Sequence, residues 1–98
     1  MKKQELTITP ALIQKYAAFL HEQERSSATI QKYVHDLTAL GDFLAGQPMT
    51  KGLLLEWKEN LIGQYAPASV NNKLAAINGF LAFCGLNELR LRKLKIQR

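Results

Sequence analysis

One stretch of the sequence decides the fold class: APASVNNKLAAINGFLAFCG, residues 66–85. Pro67 stands where a helix would begin, and its missing N–H costs nothing at the first helical position. Apolar side chains then recur every three or four residues, the period of one helix face: Val70, Leu74, Ile77, Phe80, Leu81 and Cys84. Gly85 ends the pattern as a left-handed C-cap. The stretch predicts one complete amphipathic helix.

Three further helices with similar boundary signals precede this stretch. Their predicted bounds, in chain order, are Thr9 to about Gln23, Ser26 to Gly46, and Thr50 to about Gly63. The 98 residues contain no repeat and no internal shift in composition. We therefore predict a single all-α domain in residues 1–85, a four-helix bundle, followed by a basic tail in residues 86–98. After Gly85, leucines alternate with basic residues, a pattern that fits a ribbon, a strand or a fifth short helix.

Composition excludes several classes of protein. Hydrophobic residues make up 47% and charged residues 21% of the chain, which is ordinary for a globular domain. No apolar run reaches the length needed to cross a bilayer, and no apolar stretch follows the N-terminal lysines as in a secretory signal. Cys84 is the single cysteine, so an internal disulfide and a cysteine-clustered zinc site are excluded. We expect a small intracellular domain without a membrane partner.

The reactive side chains do not form a catalytic set. His21 and His35 fall on different predicted helices with no further ligands at metal-binding spacing, so we expect neither a metal nor a cofactor. Cys84 lies on an apolar stripe and is interpreted as a small buried hydrophobe. The tyrosines lack a cluster of arginine and histidine that could activate a nucleophile, and all three are expected to pack: Tyr16, Tyr33 and Tyr65. The sequence predicts a binding domain with no small-molecule substrate rather than an enzyme.

The net charge of +5 comes entirely from the second half of the chain. Residues 1–48 carry five basic and five acidic side chains, whereas residues 49–98 carry eight basic and three acidic ones. Five of the basic residues fall within the last nine positions: Arg90, Arg92, Lys93, Lys95 and Arg98. Such a segment suits a polyanion such as nucleic acid, although a frayed solubilising tail is the alternative.

Two predicted helices carry polar faces suited to nucleic acid. The second helix places these residues together: Ser26, Ser27, Thr29, Lys32 and Asp36. The fourth helix places Ser69, Asn72, Lys73 and Ala76 on one face, with Asn71 beside them. Hydroxyl, amide and ammonium groups near a helix N-terminus can contact phosphates, and asparagine can read an adenine edge in a major groove. Solvated helix surfaces also commonly carry these residue types.

The residues of these two helices resemble a known family. The pattern Ser26-x-x-Thr29-x-x-x-Tyr33-x-x-Asp36-Leu37-x-x-Leu40-x-x-Phe43-Leu44 resembles the second helix of the N-terminal core-binding domain of tyrosine recombinases. These include the phage and transposon integrases and the Xer-type recombinases. Residues 66–83 resemble the family's fourth helix, in which Ser-Pro-x-Thr-Ile-Asn-Arg-Arg-Leu-Ser-Ala-Leu-Arg-x-Phe is usual. This chain departs from that pattern at Ala66, Asn72, Asn78 and Gly79. The resemblance covers about residues 8–85.

The resemblance implies a SAM-like orthogonal four-helix domain that holds duplex DNA at a recombination core site. Its second and fourth helices would contribute the DNA-binding residues Ser26, Thr29, Lys32, Asp36, Ser69, Asn71, Asn72 and Lys73. Arg90, Arg92 and Lys93 would add contacts from the start of the interdomain linker. The family's catalytic residues belong to a second domain that these residues do not contain. The implied partners are double-stranded DNA and other recombinase protomers. The resemblance also implies a protein encoded by a bacterium or a phage that acts in the bacterial cytoplasm, at the nucleoid.

A helical protein–protein interaction module is the alternative function. Phe43 and Phe83 fall outside the main apolar stripes, so each is a candidate for an exposed anchor side chain. The same two residues could contact a neighbouring protomer of a recombinase. Salt-sensitive binding of duplex DNA would distinguish the two functions, because phosphate contacts release counterions.

Overall fold

The computed structural model describes residues 6–95, which form four α-helices and one short 3-10 helix. The helices are α1 (Pro10–Glu22), α2 (Ser27–Leu44), α3 (Lys51–Gln64) and α4 (Pro67–Phe83), and the 3-10 helix is Asn87–Leu89. Between residues 6 and 95 there is no β-strand, so the predicted all-α class is confirmed. The chain divides into two compact units, unit 1 up to Thr50 and unit 2 from Lys51 onward.

Unit 1 contains α1 and α2, which pack against each other. Both helices begin as the sequence predicts. The Thr9 hydroxyl accepts a hydrogen bond from the Leu12 N–H at 3.1 Å, and the Ser26 hydroxyl accepts one from the Thr29 N–H at 3.1 Å. The buried apolar side chains of the unit are Ile13, Tyr16, Leu20, Leu37, Leu40, Leu44 and Met49. Within α1 and within α2 these side chains recur every three or four residues, so each helix buries one face, and Met49 follows α2.

Unit 2 contains α3 and α4, which also pack together. Five of the six residues predicted for the buried stripe of α4 are fully buried: Val70, Leu74, Ile77, Phe80 and Leu81. Cys84 is only half-buried. From α3, the side chains of Leu54, Trp57 and Leu61 are buried. The apolar residues of unit 2 therefore form a compact core under α4.

Gly85 ends α4 in the conformation that the sequence predicts, with a φ of +77°. The Leu86 N–H donates to the Leu81 carbonyl at 2.8 Å, and the Gly85 N–H donates to the Ala82 carbonyl at 3.1 Å. This pair of bonds is a Schellman motif, which satisfies carbonyls at the end of the helix. The chain reverses here, and the buried Leu86, Leu89 and Leu91 return it to the core of unit 2.

Three aromatic residues lie elsewhere than predicted. Tyr65 was expected to pack, but 44% of its surface is exposed, because it lies in the link between α3 and α4 rather than on an apolar stripe. Phe43 and Phe83 were candidates for exposed anchors, and both are half-buried. Tyr16 is buried as predicted and stacks on Phe19, with ring centroids 6.1 Å apart. None of the helices within the described range is long and apolar enough to span a bilayer.

Candidate nucleic-acid interface

The first turns of α2 present an exposed cation beside a capping pair. The Ser26 hydroxyl both accepts from the Thr29 N–H and donates to the Thr29 hydroxyl, at 3.1 and 3.0 Å. These two hydroxyls therefore cap the start of α2, although each oxygen keeps acceptor or donor capacity. Lys32 follows one turn further along α2 and is exposed. Of the predicted α2 residues, Lys32 is the one best placed to meet a phosphate.

Asp36 does not lie on the exposed face predicted for it. Its side chain is 2% exposed, and it is the one charged residue of the described range in the buried core. The register of α2 explains the difference, since Asp36 precedes the fully buried Leu37 and lies one turn before Leu40. A buried carboxylate cannot reach a duplex, and its negative charge would repel phosphates. Asp36 is therefore a core residue of unit 1 in this structure.

The N-terminal part of α4 keeps three of its four predicted contact residues accessible. Ser69 and Asn72 are exposed, and Lys73 is half-buried. The Lys73 ammonium lies 4.7 Å from the centroid of the Tyr65 ring, a cation–π contact. Tyr65 therefore has a role that the sequence interpretation missed, since it holds a cation of the candidate interface against α4.

Asn71, the fourth residue, binds the chain that follows α4. Its side-chain N–H donates to the Leu94 carbonyl at 3.0 Å, and its side-chain oxygen accepts from the Leu94 N–H at 2.7 Å. Both functional groups of the amide are therefore directed at one backbone residue. One N–H and one oxygen lone pair of the amide remain beside these bonds, and a direct contact of Asn71 with DNA stays a prediction.

Asn78 makes the same pair of bonds three residues earlier in the segment, at Leu91. Its N–H donates to the Leu91 carbonyl and its oxygen accepts from the Leu91 N–H, each at 2.8 Å. In the sequence, Asn78 stands out only as a departure from the family pattern. A signal for its role was present, because Asn71 and Asn78 are seven residues apart and so share a face of α4.

Two lysines of α3 hold the other side of the same segment. The Lys51 ammonium donates to the Arg90 carbonyl, and the Lys58 ammonium donates to the Arg92 carbonyl at 2.6 Å. Residues 90–95 thus form no helix or strand, but they are bonded to both α3 and α4, and the backbone is extended at Arg90. Of the alternatives for the chain after Gly85, a fifth short helix forms at Asn87–Leu89, and no strand forms between there and residue 95. The fraying alternative does not fit residues 90–95, because they are bonded to α3 and α4. Ile96, Gln97 and Arg98 lie outside the described residues.

The side chains of this segment leave its cations accessible. Arg90, Arg92 and Lys93 are exposed, as is Lys95, whereas Leu91 is buried. Arg90 and Lys93 border one shallow cleft, whose other lining residues come from α4: Ala75, Asn78, Gly79 and Ala82. Unit 2 therefore has a fixed cationic rim where the sequence alone predicted only a basic tail.

Among residues 6–95, no three side chains of histidine, cysteine, aspartate or glutamate come together as a metal site would require. Burial raises the pKa of the Cys84 thiol above its ordinary value, which leaves less of the reactive thiolate at neutral pH.

The fold and the distribution of charge define an all-α domain with polar and cationic groups on α2, on α4 and along segment 90–95. The chain belongs to the family of phage integrase N-terminal SAM-like domains, whose family model matches residues 13–85. The match covers most of the chain and includes all four helices apart from the first residues of α1. No curated protein and no solved structure matches the chain.

Proposed function

We propose that this chain is the DNA-binding domain of a site-specific tyrosine recombinase and holds the core recombination site. The single observation that carries the proposal is membership of the integrase N-terminal domain family over residues 13–85. The contacts would come from Lys32 with the Ser26–Thr29 cap on α2, from Ser69, Asn72 and Lys73 on α4, and from Arg90, Arg92 and Lys93. Strand cleavage and transfer would belong to a catalytic domain elsewhere in the recombinase, and the domain would act in the cytoplasm, at the nucleoid of a bacterium.

The charge of the described residues supports the phosphate contacts. Unit 2 carries seven lysines and arginines between residues 51 and 95 against three acidic residues. Backbone phosphates supply most of the affinity of a DNA-binding domain, while base contacts supply specificity. On this surface Asn72 is the exposed amide best suited to contact a base edge, because Asn71 and Asn78 are both bonded to backbone.

The test is an amide chemical-shift titration with a duplex of about twenty base pairs, followed by affinities at several salt concentrations. We expect salt-sensitive shifts at residues 26–32 and 69–73 and along segment 90–95. Lys32→Ala and Lys73→Ala should each reduce the salt slope by about 0.9, the value for one lost phosphate contact.

Lys15→Ala is the matched control, since Lys15 is an exposed lysine on α1 outside the proposed interface. Its salt slope should stay within error of the unsubstituted chain. Equal salt slopes in all three variants would show that α2 and the start of α4 do not contact the DNA. Absence of any shift at low salt would contradict DNA binding itself.

Exposed apolar residues of α3 favour a second candidate function, contact with another protein. Leu55 and Ile62 are 45% and 40% exposed and lie two helical turns apart on the same face. In a recombinase the partner would be another protomer. Sedimentation of the chain alone and with duplex would separate the two functions, since protein contact without DNA predicts association in the absence of duplex.

A further inference from the structure

We propose that Asn71 and Asn78 are positioning residues for DNA binding. In this proposal they fix segment 90–95 along α4 so that Arg90 and Lys93 form one binding site for a backbone phosphate of the duplex. The inference rests on the proposed function, and it adds a phosphate site and the two asparagines that position its cations.

The two asparagines match the spacing of an extended chain. Seven residues of α-helix advance about 10.5 Å, and three residues of extended chain advance about 10 Å. The amides of Asn71 and Asn78 therefore meet the backbone of Leu94 and Leu91 in register, with the segment antiparallel to α4. A shift of the segment by one residue would break all four of these hydrogen bonds. Such a shift would also take the buried Leu91 side chain out of the core, so the pair and Leu91 together hold a single register.

This register decides which side chains of the segment face solvent. Leu91 is only 4% exposed and Leu94 is half-buried, whereas the positions before and between them, Arg90, Arg92 and Lys93, are exposed. The side of the segment that faces α4 therefore recurs every three residues, which allows Arg90 and Lys93, also three residues apart, to share one side. Arg90 and Lys93 both border the cleft on α4. Two like charges repel, so a mobile tail would hold them apart. The asparagine bonds, with the bonds from Lys51 and Lys58 to the segment's carbonyls, offset that repulsion before any DNA binds.

The cleft between these two cations has the chemistry of a phosphate site. Its volume is about 280 Å³. The α4 positions beneath it are Ala75, Gly79 and Ala82, where no side chain extends beyond Cβ, so an anion can approach the helix closely. None of the six residues that line the cleft is acidic. The Arg90 guanidinium can bind two phosphate oxygens at once, and the Lys93 ammonium adds a second charge.

The experiment compares Asn78→Ala with Asn60→Ala in the 98-residue chain. Asn60 is an exposed asparagine of α3 whose amide donates only to the Glu56 carbonyl of its own helix, so it is the matched control. Hydrogen exchange of the Leu91 amide reports on its bond to Asn78, and we call the bonds from Asn71 and Asn78 to the segment the clamp. Fluorescence anisotropy with a twenty-base-pair duplex measures affinity across salt concentrations. We expect Asn78→Ala to remove protection at Leu91, weaken binding two- to fivefold and reduce the salt slope by about 0.9.

A third variant carries both Arg90→Ala and Lys93→Ala. It distinguishes a positioning role of Asn78 from an effect on the stability of the fold. If Asn78 acts through these two cations, adding Asn78→Ala to that pair should cause no further loss of affinity. A merely structural role would instead lower affinity equally in both backgrounds. Asn71→Ala, monitored at the Leu94 amide, is the second clamp variant and decides the question if Asn78→Ala does not fold.

The outcomes distinguish this inference from the proposed function. Loss of protection at Leu91 with unchanged affinity and salt slope would overturn the phosphate site while leaving DNA binding intact. Additive losses in the combined variant would overturn the positioning role. If the unsubstituted chain shows no salt-sensitive binding, the proposed function fails and the phosphate site fails with it. Retained protection at Leu91 in Asn78→Ala would refute the clamp itself.

Discussion

The same substitution, glycine to alanine, should have opposite effects on stability at two positions of unit 2. Gly85 has a φ of +77°, whereas Gly63 lies in α3 one residue before the helix ends. A Cβ added at either position would meet no atom within 4 Å, so steric crowding contributes nothing. The backbone conformation alone therefore decides the sign.

The magnitudes follow from the two conformations. An L-residue in the left-handed region costs about 1–2 kcal/mol, and the reduced freedom of the unfolded chain returns part of it. We expect Gly85→Ala to lower the free energy of unfolding by about 1 kcal/mol. In a helix, alanine is favoured over glycine by about 0.5–1 kcal/mol, and the position near the helix end gives the lower value for Gly63→Ala.

Urea denaturation followed by fluorescence of the buried Trp57 measures both changes, since Trp57 also lies in unit 2. The corresponding changes in melting temperature are a decrease of about 4–8 °C for Gly85→Ala and an increase of about 2–4 °C for Gly63→Ala. A neutral or stabilising Gly85→Ala would refute the reasoning, because the turn after α4 would then not need a left-handed residue. Destabilisation by Gly63→Ala would show that the difference in backbone conformation is not the cause.

Three further predictions concern other positions. Glu24→Gly should raise the free energy of unfolding by up to about 1 kcal/mol, because Glu24 has a φ of 62° after α1, and Glu24→Ala should not. Leu91→Ala should cost about 2–5 kcal/mol in urea denaturation because Leu91 is buried, whereas the exposed Arg92→Ala should stay within about 0.5 kcal/mol. The Cys84 thiol should be alkylated by iodoacetamide more slowly in the folded chain than in urea, as mass spectrometry would show. Burial raises the pKa of the Cys84 thiol on folding, so the free energy of unfolding should fall as the pH rises above the pKa that the thiol has in the unfolded chain. Cys84→Ala has no thiol and should lack this part of the pH dependence.

The elements of the fold could be predicted from the sequence because their signals are local. The Thr9 and Ser26 caps, the prolines that open α1 and α4, and the glycine that ends α4 each act within one helical turn. In α4, apolar periodicity then identified five fully buried positions out of six predicted. These signals need no knowledge of the rest of the chain, and the caps, prolines and glycine agree with the structure.

The site was less predictable, because it depends on contacts between distant positions. Asn78 bonds to Leu91, thirteen residues away, and Asn71 bonds to Leu94, twenty-three residues away. Periodicity identifies which side of a helix is polar, but it does not identify what covers that side. Asp36 shows the same limit, since a polar residue beside an apolar stripe was assigned to the surface and is buried.

The bonds from Asn71 and Asn78 have a consequence for how this domain can vary. They engage the main chain of Leu91 and Leu94 and no side chain of the segment. Exposed positions such as 90, 92 and 93 can therefore exchange one residue type for another while the segment keeps its path. Proline at 91 or 94 would instead remove an N–H that an asparagine accepts. The charge of the segment can then change independently of folding. Natural variation or design can therefore add or remove cations here without rebuilding the domain.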